Sequence, residues 1–187
     1  MAKGGQFERD VCKELSLWWT EGERDDIFWR TSGSGARAKT RSRQQNKTTA
    51  YSYGDVTFTD PIGQPLIAKC ILELKRGYGK WSPLDLVDRP KMRKNAKKMP
   101  LQTLESFIEQ VMEDVTNAGG FHHPILICRR DGRRKFIGIT DRLFRAMVNM
   151  FGYPETTILR INTNPSFRFM SYRFFLDWCH PDFFKSC

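Results

Sequence analysis

One stretch constrains this chain more than any other. Cys70-Ile71-Leu72-Glu73-Leu74-Lys75 is an apolar run interrupted at alternate positions by an acid and a base. In a strand, successive side chains point to opposite faces, so Ile71, Glu73 and Lys75 share one face and Cys70, Leu72 and Leu74 the other. Unpaired charge on a buried strand is expensive. Any fold that buries this segment must therefore gather compensating groups around Glu73 and Lys75.

The neighbouring sequence suggests where they come from. Asp55 to Thr59 and Leu66 to Lys75 both read as strands, and Asp60-Pro61-Ile62-Gly63 between them is a turn signal. This predicts a β-hairpin that brings Asp55 close to Glu73 across the ladder. Two adjacent carboxylates repel unless a cation joins them. Mg²⁺ suits such a pair, because it takes oxygen ligands from one or two carboxylates and fills its shell with water and phosphate oxygens. Lys75 would sit beside the ion. The competing reading is a plain ion pair of Lys75 with Asp55 or Glu73, and Asp/Glu-x-Lys spacing alone does not decide between them.

Charge distribution favours the first reading. The chain is 187 residues long with a net charge of +10. No acid occurs from Ile27 to Gly54, where Arg30, Arg37, Lys39, Arg41, Arg43 and Lys47 lie. None occurs from Arg89 to Leu104, which holds Arg89, Lys91, Arg93, Lys94, Lys97 and Lys98. These two windows carry the whole excess and leave the remainder slightly acidic. Basic segments on a nearly neutral body point to a polyanionic partner, and an acidic cluster between them makes sense if a phosphodiester lies there. A third basic group, Arg129, Arg130, Arg133, Arg134 and Lys135, reads either as DNA-facing or as a charged sheet edge.

Other classes recede. No apolar run is long enough to cross a membrane, and the first residues lack the apolar stretch of a secretory leader. The five cysteines show no CxxC pair, so a reduced, cytoplasmic protein is expected. His122-His123 with Cys128, or Cys179-His180 with Cys187, offer zinc-ligand types without finger-like spacing.

Periodicity predicts helices over 3–20, with a Phe7, Val11, Leu15, Trp18 stripe, over 104–118 and over 141–150. Strands are expected at 27–31, 124–129, 135–140, 158–161 and 167–176, with a hairpin turn at Asp131-Gly132. The segments 31–50 and 80–100 read as polar loops. Residues 141–187 hold 11 of the 24 aromatics, as extra core or as a dimer interface.

Asp55 followed by Glu73-Leu74-Lys75 resembles the PD-(D/E)XK nuclease superfamily. Gly4-Gly5-Gln6-Phe7-Glu8-Arg9 is similar to the Lys-Gly-x-x-x-Glu-Arg start of archaeal-type Holliday junction resolvases, and Arg30-Thr31-Ser32-Gly33-Ser34-Gly35 to their Ser-Gly segment. Gly54-Asp55-Val56 stands where that group has Pro-Asp-Ile/Val. Phage- and prophage-encoded resolvase-like nucleases come nearest, with Gln110, the Pro124-Ile125-Leu126-Ile127 strand and the basic hairpin in the same order. The resemblance spans roughly residues 3–140.

It implies an α/β restriction-endonuclease-like core, with a central mixed sheet flanked by helices over 1–140 and an aromatic-rich extension over 141–187 packed on it as a single domain. It implies a Mg²⁺- or Mn²⁺-dependent endodeoxyribonuclease, homodimeric and selective for branched DNA, with no other cofactor. Asp55 and Glu73 would ligate the metal, with the Leu74 carbonyl, and Glu8 through a water. Lys75 would act on the attacking water, Ser32 or Ser34 on the scissile phosphate, and Gln110 would hydrogen-bond into the site. Arg30, Arg76, Arg37, Lys39, Arg41, Arg43 and Lys47, with Lys91, Arg93, Lys94, Lys97 and Lys98, would hold the DNA backbone. The alternatives are a restriction- or repair-type nuclease on linear duplex and a non-catalytic nucleic-acid-binding protein.

Overall fold

The computed structural model describes residues 3–31, 53–77, 81–86 and 103–186. The first helix, α1 (Lys3–Trp19), buries Phe7, Val11, Cys12, Leu15 and Trp19. The stripe ends on Trp19, not Trp18, because the Trp19 indole N–H donates to the Ile62 carbonyl at 2.9 Å. Ser16, in the same helix, accepts from the Phe28 amide at 2.9 Å and so docks strand β1 (Phe28–Arg30) against α1.

The expected hairpin between 55 and 75 is not what forms. Strand β2 (Val56–Phe58) pairs antiparallel with β1, in the register Phe28↔Phe58, Trp29↔Thr57 and Arg30↔Val56. Asp60 then caps a 3₁₀ turn at Pro61–Gly63 by accepting from the Ile62 amide, and α2 (Gln64–Lys69) follows. Strand β3 (Cys70–Arg76) begins four residues later than the sequence suggested. A short apolar run such as Leu66-Ile67 fits a helix as well as a strand, and the early Pro65 suits a first helical turn.

The main sheet has the order β3-β4-β5-β7-β6. Strands β4 (His123–Arg129), β5 (Phe136–Thr140), β6 (Leu159–Ile161) and β7 (Phe167–Ser171) complete it. Only β3 and β4 run parallel, as their crossover through α3 (Thr103–Asn117) requires. The β4–β5 hairpin forms around Asp131-Gly132 as expected. Thr140 caps α4 (Asp141–Phe151) by accepting from the Leu143 amide.

The expected strand over 167–176 stops at Ser171, whose hydroxyl accepts from the Phe174 amide and starts α5 (Tyr172–Trp178). Aromatic residues favour strands in general, but here this cap decides. A last turn, α6 (Asp182–Lys185), is tied back by Lys69, which donates to the Phe184 carbonyl at 2.6 Å. Phe144, Phe167, Phe169, Tyr172, Phe175 and Phe184 are all buried, so the aromatic C-terminal segment is largely interior.

Two apolar layers sandwich the sheet. On one face Cys70, Leu72, Leu74, Ile125, Ile127, Ile137 and Ile139 meet α1, α4 and α5. On the other Ile71, Leu126, Cys128, Phe167 and Phe169 meet α3 and Trp81. Gly138 is needed in this second layer: a Cβ there would lie 2.2 Å from the Phe169 ring. Among the described residues no helix is long and apolar enough to cross a membrane. The described cysteines, Cys12, Cys70, Cys128 and Cys179, are buried free thiols, and burial pushes Cys12 and Cys179 up to about 12.

Candidate active site

The free edge of β3, opposite β4, carries the site. Asp55 is stitched to that edge by two hydrogen bonds. Its amide donates to the Leu72 carbonyl at 2.8 Å, and its carboxylate Oδ2 accepts from the Leu74 amide at 2.8 Å. A side-chain oxygen thus takes the place of a partner strand's carbonyl. Within a strand the N–H and C=O of one residue leave on the same edge, so the Leu74 carbonyl points to the Asp55 side as well. The Thr31 amide donates to the Asp55 carbonyl at 2.9 Å, which ties the end of β1 into the cluster. The adjacency that the sequence attributed to a hairpin exists, but through this edge clamp.

Gly54 makes the clamp possible. Its φ is +78°, and a Cβ at this position would sit 2.7 Å from the Leu72 carbonyl oxygen and 3.0 Å from Ile71. Proline, fixed near φ −65°, has no access to this conformation.

Glu73 and Lys75 project from the face covered by α3, and both are buried. Lys75 Nζ lies 2.6 Å from Glu73 Oε1 and donates to Gln110 Oε1 at 2.8 Å. Gln110 Nε2 donates to the same Glu73 oxygen at 2.7 Å. The three side chains form a closed triangle between β3 and α3. Phe107, one helical turn before Gln110, places its ring centroid 5.6 Å from Lys75 Nζ. Sequence reasoning missed this residue, although the i, i+3 spacing puts it beside Gln110 on the helix surface.

The electrostatics are short of positive charge. The Asp55 carboxyl is pushed up to about 7, first by burial, then by the charges of Glu73 and Glu8, against the Leu74 amide and Lys75. Glu8 therefore acts on Asp55 through its field, while its own Oε2 is 3.3 Å from Arg30 Nε. Among the described residues no three His, Cys, Asp or Glu side chains converge as a metal cluster, so the His122-His123-Cys128 set does not assemble, while Cys187 of the other set lies outside the described residues. What the edge offers is two carboxylates and a main-chain carbonyl, a hard oxygen set. That set fits a cation of the Mg²⁺ type, which is held by few protein groups and completed by water and phosphate.

The structure brings Asp55, Glu73, Lys75, Leu74 and Gln110 together, with Glu8 and Arg30 paired alongside. Arg76 sits apart, at the end of β3, with Nε 3.9 Å from Asp131. Ser32, Ser34, Arg37, Lys39, Arg41, Arg43, Lys47, Lys91, Arg93, Lys94, Lys97 and Lys98 lie outside the described residues.

A family model for phage putative PDDEXK endonucleases matches residues 1–175. The chain belongs to this family. No curated protein and no solved structure matches it. Gly54-Asp55 and Glu73-Leu74-Lys75, which resemble the PD-(D/E)XK motif, both lie within the matched span. The family match also continues past Thr140, where the sequence resemblance ended, through β6 and β7 into α5. PDDEXK nucleases generally use divalent metal ions and act on DNA.

Proposed function

We propose that this chain is a divalent-metal-dependent endonuclease that hydrolyses DNA phosphodiester bonds at the β3 edge, leaving 5′-phosphate and 3′-hydroxyl ends. The observation that supports this most strongly is the buried Glu73–Lys75–Gln110 triangle beside an Asp55 clamped to the same strand. An acid with its carboxyl raised by burial and by a second acid is well suited to receive a cation.

Asp55, Glu73 and the Leu74 carbonyl would hold Mg²⁺ or Mn²⁺. When bound, such an ion polarises the phosphate and neutralises charge developing on it. Lys75 orients the attacking water and donates to the phosphate oxygen as its charge grows. Gln110 fixes the positions of both Lys75 and Glu73 through its two hydrogen bonds, and Phe107 shields the ammonium from bulk water. Glu8 adds to the negative field at Asp55 and holds Arg30 beside the exit of β1. Ser32 and Ser34 follow directly on that strand and would contact the scissile phosphate, while the basic segments 37–47 and 91–98 would track the DNA backbone without reading sequence.

The motif order shared with resolvases supports branched DNA as the substrate, the four-way junction first, and a homodimer matched to its two symmetric cuts. The test is cleavage of a four-way junction and of its separate duplex arms, side by side, with Mg²⁺ and with Mn²⁺. Faster cleavage of the junction is expected, and Glu73→Ala should abolish it while leaving DNA binding at low salt. Equal rates on junction and arms would end the branched-DNA preference. Cleavage of no DNA with either ion would end the nuclease reading.

A further inference from the structure

A second feature lies at the same end of the sheet and plays no part in the site above. A cleft of about 980 Å³ opens between α1, the β4–β5 hairpin and α5. Arg129, Arg133 and Arg134 of the hairpin line it, with Trp18 of α1 and Trp178 of α5.

The charges of this cleft are unequal in a telling way. Its carboxylates already face cationic or protonatable partners: Glu14 is paired with Lys135, Asp177 with Arg173 at 3.1 Å, and Glu21 faces His180 at 3.5 Å. Arg129, Arg133 and Arg134 make no ion pair or side-chain hydrogen bond with another described residue. Three guanidiniums on one hairpin with no ion-pair partner among the described residues repel one another and invite an anion.

The two helices contribute aromatic rings that are held in place. The Trp18 indole N–H donates to the Cys179 carbonyl at 2.8 Å, and that of Trp178 to the Gly152 carbonyl at 3.2 Å. Both rings are half-buried, so part of each remains open for contact. Guanidiniums and fixed aromatic rings in one cleft are the combination that binds single-stranded nucleic acid, through phosphate contacts and base stacking. The volume is that of a large small-molecule pocket, enough for a few nucleotides of one strand and too small for a duplex.

Position supports the same occupant. Lys75 is in register with Cys128, and the next position, Arg129, already lines the cleft. Side-chain alternation puts Arg129 on the α1 face, whereas Glu73 and Lys75 lie on the α3 face. A strand held in the cleft must therefore turn around the carboxyl end of the sheet, away from DNA seated at the β3 edge. That path suits a strand already separated from its complement.

We propose that this cleft binds the unpaired DNA strand of a branched substrate, with Arg129, Arg133 and Arg134 on its phosphates and Trp18 and Trp178 against its bases. The substrate assignment rests on the nuclease reading above, but the strand-binding does not require it.

The test uses the full chain, without divalent metal, and a short labelled oligothymidylate. Binding should quench tryptophan emission and exceed binding of an abasic oligomer of the same length. The double variant Arg133→Ala/Arg134→Ala should weaken binding roughly tenfold and reduce the salt slope by about 1.4, the share of two phosphate contacts on a single strand. Arg133→Lys/Arg134→Lys, which keeps the charge, should retain most of it. Unchanged affinity or slope in the alanine variant, or equal binding of the abasic oligomer, would overturn the proposal. Cleavage by the wild-type chain with Mg²⁺ is read separately. A chain that cuts DNA but binds oligothymidylate equally well without the two arginines refutes the cleft alone. A chain that cuts nothing, yet loses oligothymidylate in the alanine variant, refutes the nuclease reading and leaves the cleft standing.

Discussion

Two aspartates in this chain sit under opposite electrostatic rules. Asp141, at the start of α4, faces three arginines: Arg168 Nε at 2.5 Å, Arg145 at 3.0 Å and Arg160 at 3.8 Å. The hydrogen bond from Arg168 holds its carboxyl below the usual carboxylate range, and the Arg168 guanidinium stacks 4.8 Å from the Phe144 ring centroid. Asp55, at the β3 edge, has the reverse surroundings: burial, two further acids and one lysine, with its carboxyl pushed up to about 7. The first cluster is complete as it stands and joins α4 to β6 and β7. The second, with Asp55, Glu73 and Glu8 against Lys75 and Arg30, holds more acids than bases among the described residues. A carboxylate that holds a fold together is over-supplied with cations, and one that awaits a metal is under-supplied.

The largest effect that would break this comparison is on catalysis. Lys75→Ala should lower the cleavage rate by roughly 10²–10³-fold, the usual loss when a donor aimed at developing charge is removed. The same change at Arg168 should leave the rate near wild type. If both variants lose cleavage equally, with the fold intact, the two clusters are not functionally distinct. Single-turnover rates, with circular dichroism as the control, measure this.

Stability comes next, and its sign should differ between the clusters. Asp141→Ala strands the half-buried Arg168 and should cost about 1–2 kcal/mol in urea unfolding, because Arg145 and Arg160 are exposed and contribute little. Asp55→Asn keeps an oxygen to accept from the Leu74 amide and removes a disfavoured charge. It should therefore stabilise the metal-free protein above pH 7 while abolishing cleavage. Destabilisation by Asp55→Asn would show that the Asp55 charge is already balanced.

The smallest effect is in pH dependence, and it sharpens the contrast. A carboxyl raised from 3.8 to about 7 on folding contributes stability that is present below its unfolded value and lost as pH rises through its folded one. Metal-free protein should lose stability between about pH 4 and pH 7, and Asp55→Asn should flatten that slope. Asp141, whose carboxyl is lowered, contributes stability present above about pH 4 and lost on further acidification. Urea midpoints across pH separate the two, and an unaltered slope in Asp55→Asn would contradict the raised carboxyl.

Much of this was legible in the sequence because it is local. The helix stripes of α1 and α3 and the Asp131-Gly132 turn each depend on residues a few positions apart. The alternation of Leu72 and Leu74 against Glu73 and Lys75 depends only on strand geometry. What escaped was non-local or finely balanced. Nothing near Val56 says that it pairs with Arg30 and not with β3. Leu66-Ile67 fits a helix or a strand, and a single hydroxyl, Ser171, turns an aromatic strand into α5. The cleft was invisible for the same reason, since its walls come from α1, a hairpin in mid-chain and a late helix. Asp55 was placed correctly beside β3 from an incorrect pairing, because any route that returns the chain there creates the same clamp.

The hydrogen bond from Thr31 to Asp55 separates what places this acid from what lies between the two residues in the chain. It joins described residues on either side of the 32–52 segment, so the placement of Asp55 against β3 rests on contacts outside that segment. Lengthening such an excursion is cheap, at about 0.6 kcal/mol for each doubling. A change of length or charge in the segment should therefore leave Asp55, Glu73 and Lys75 where they are.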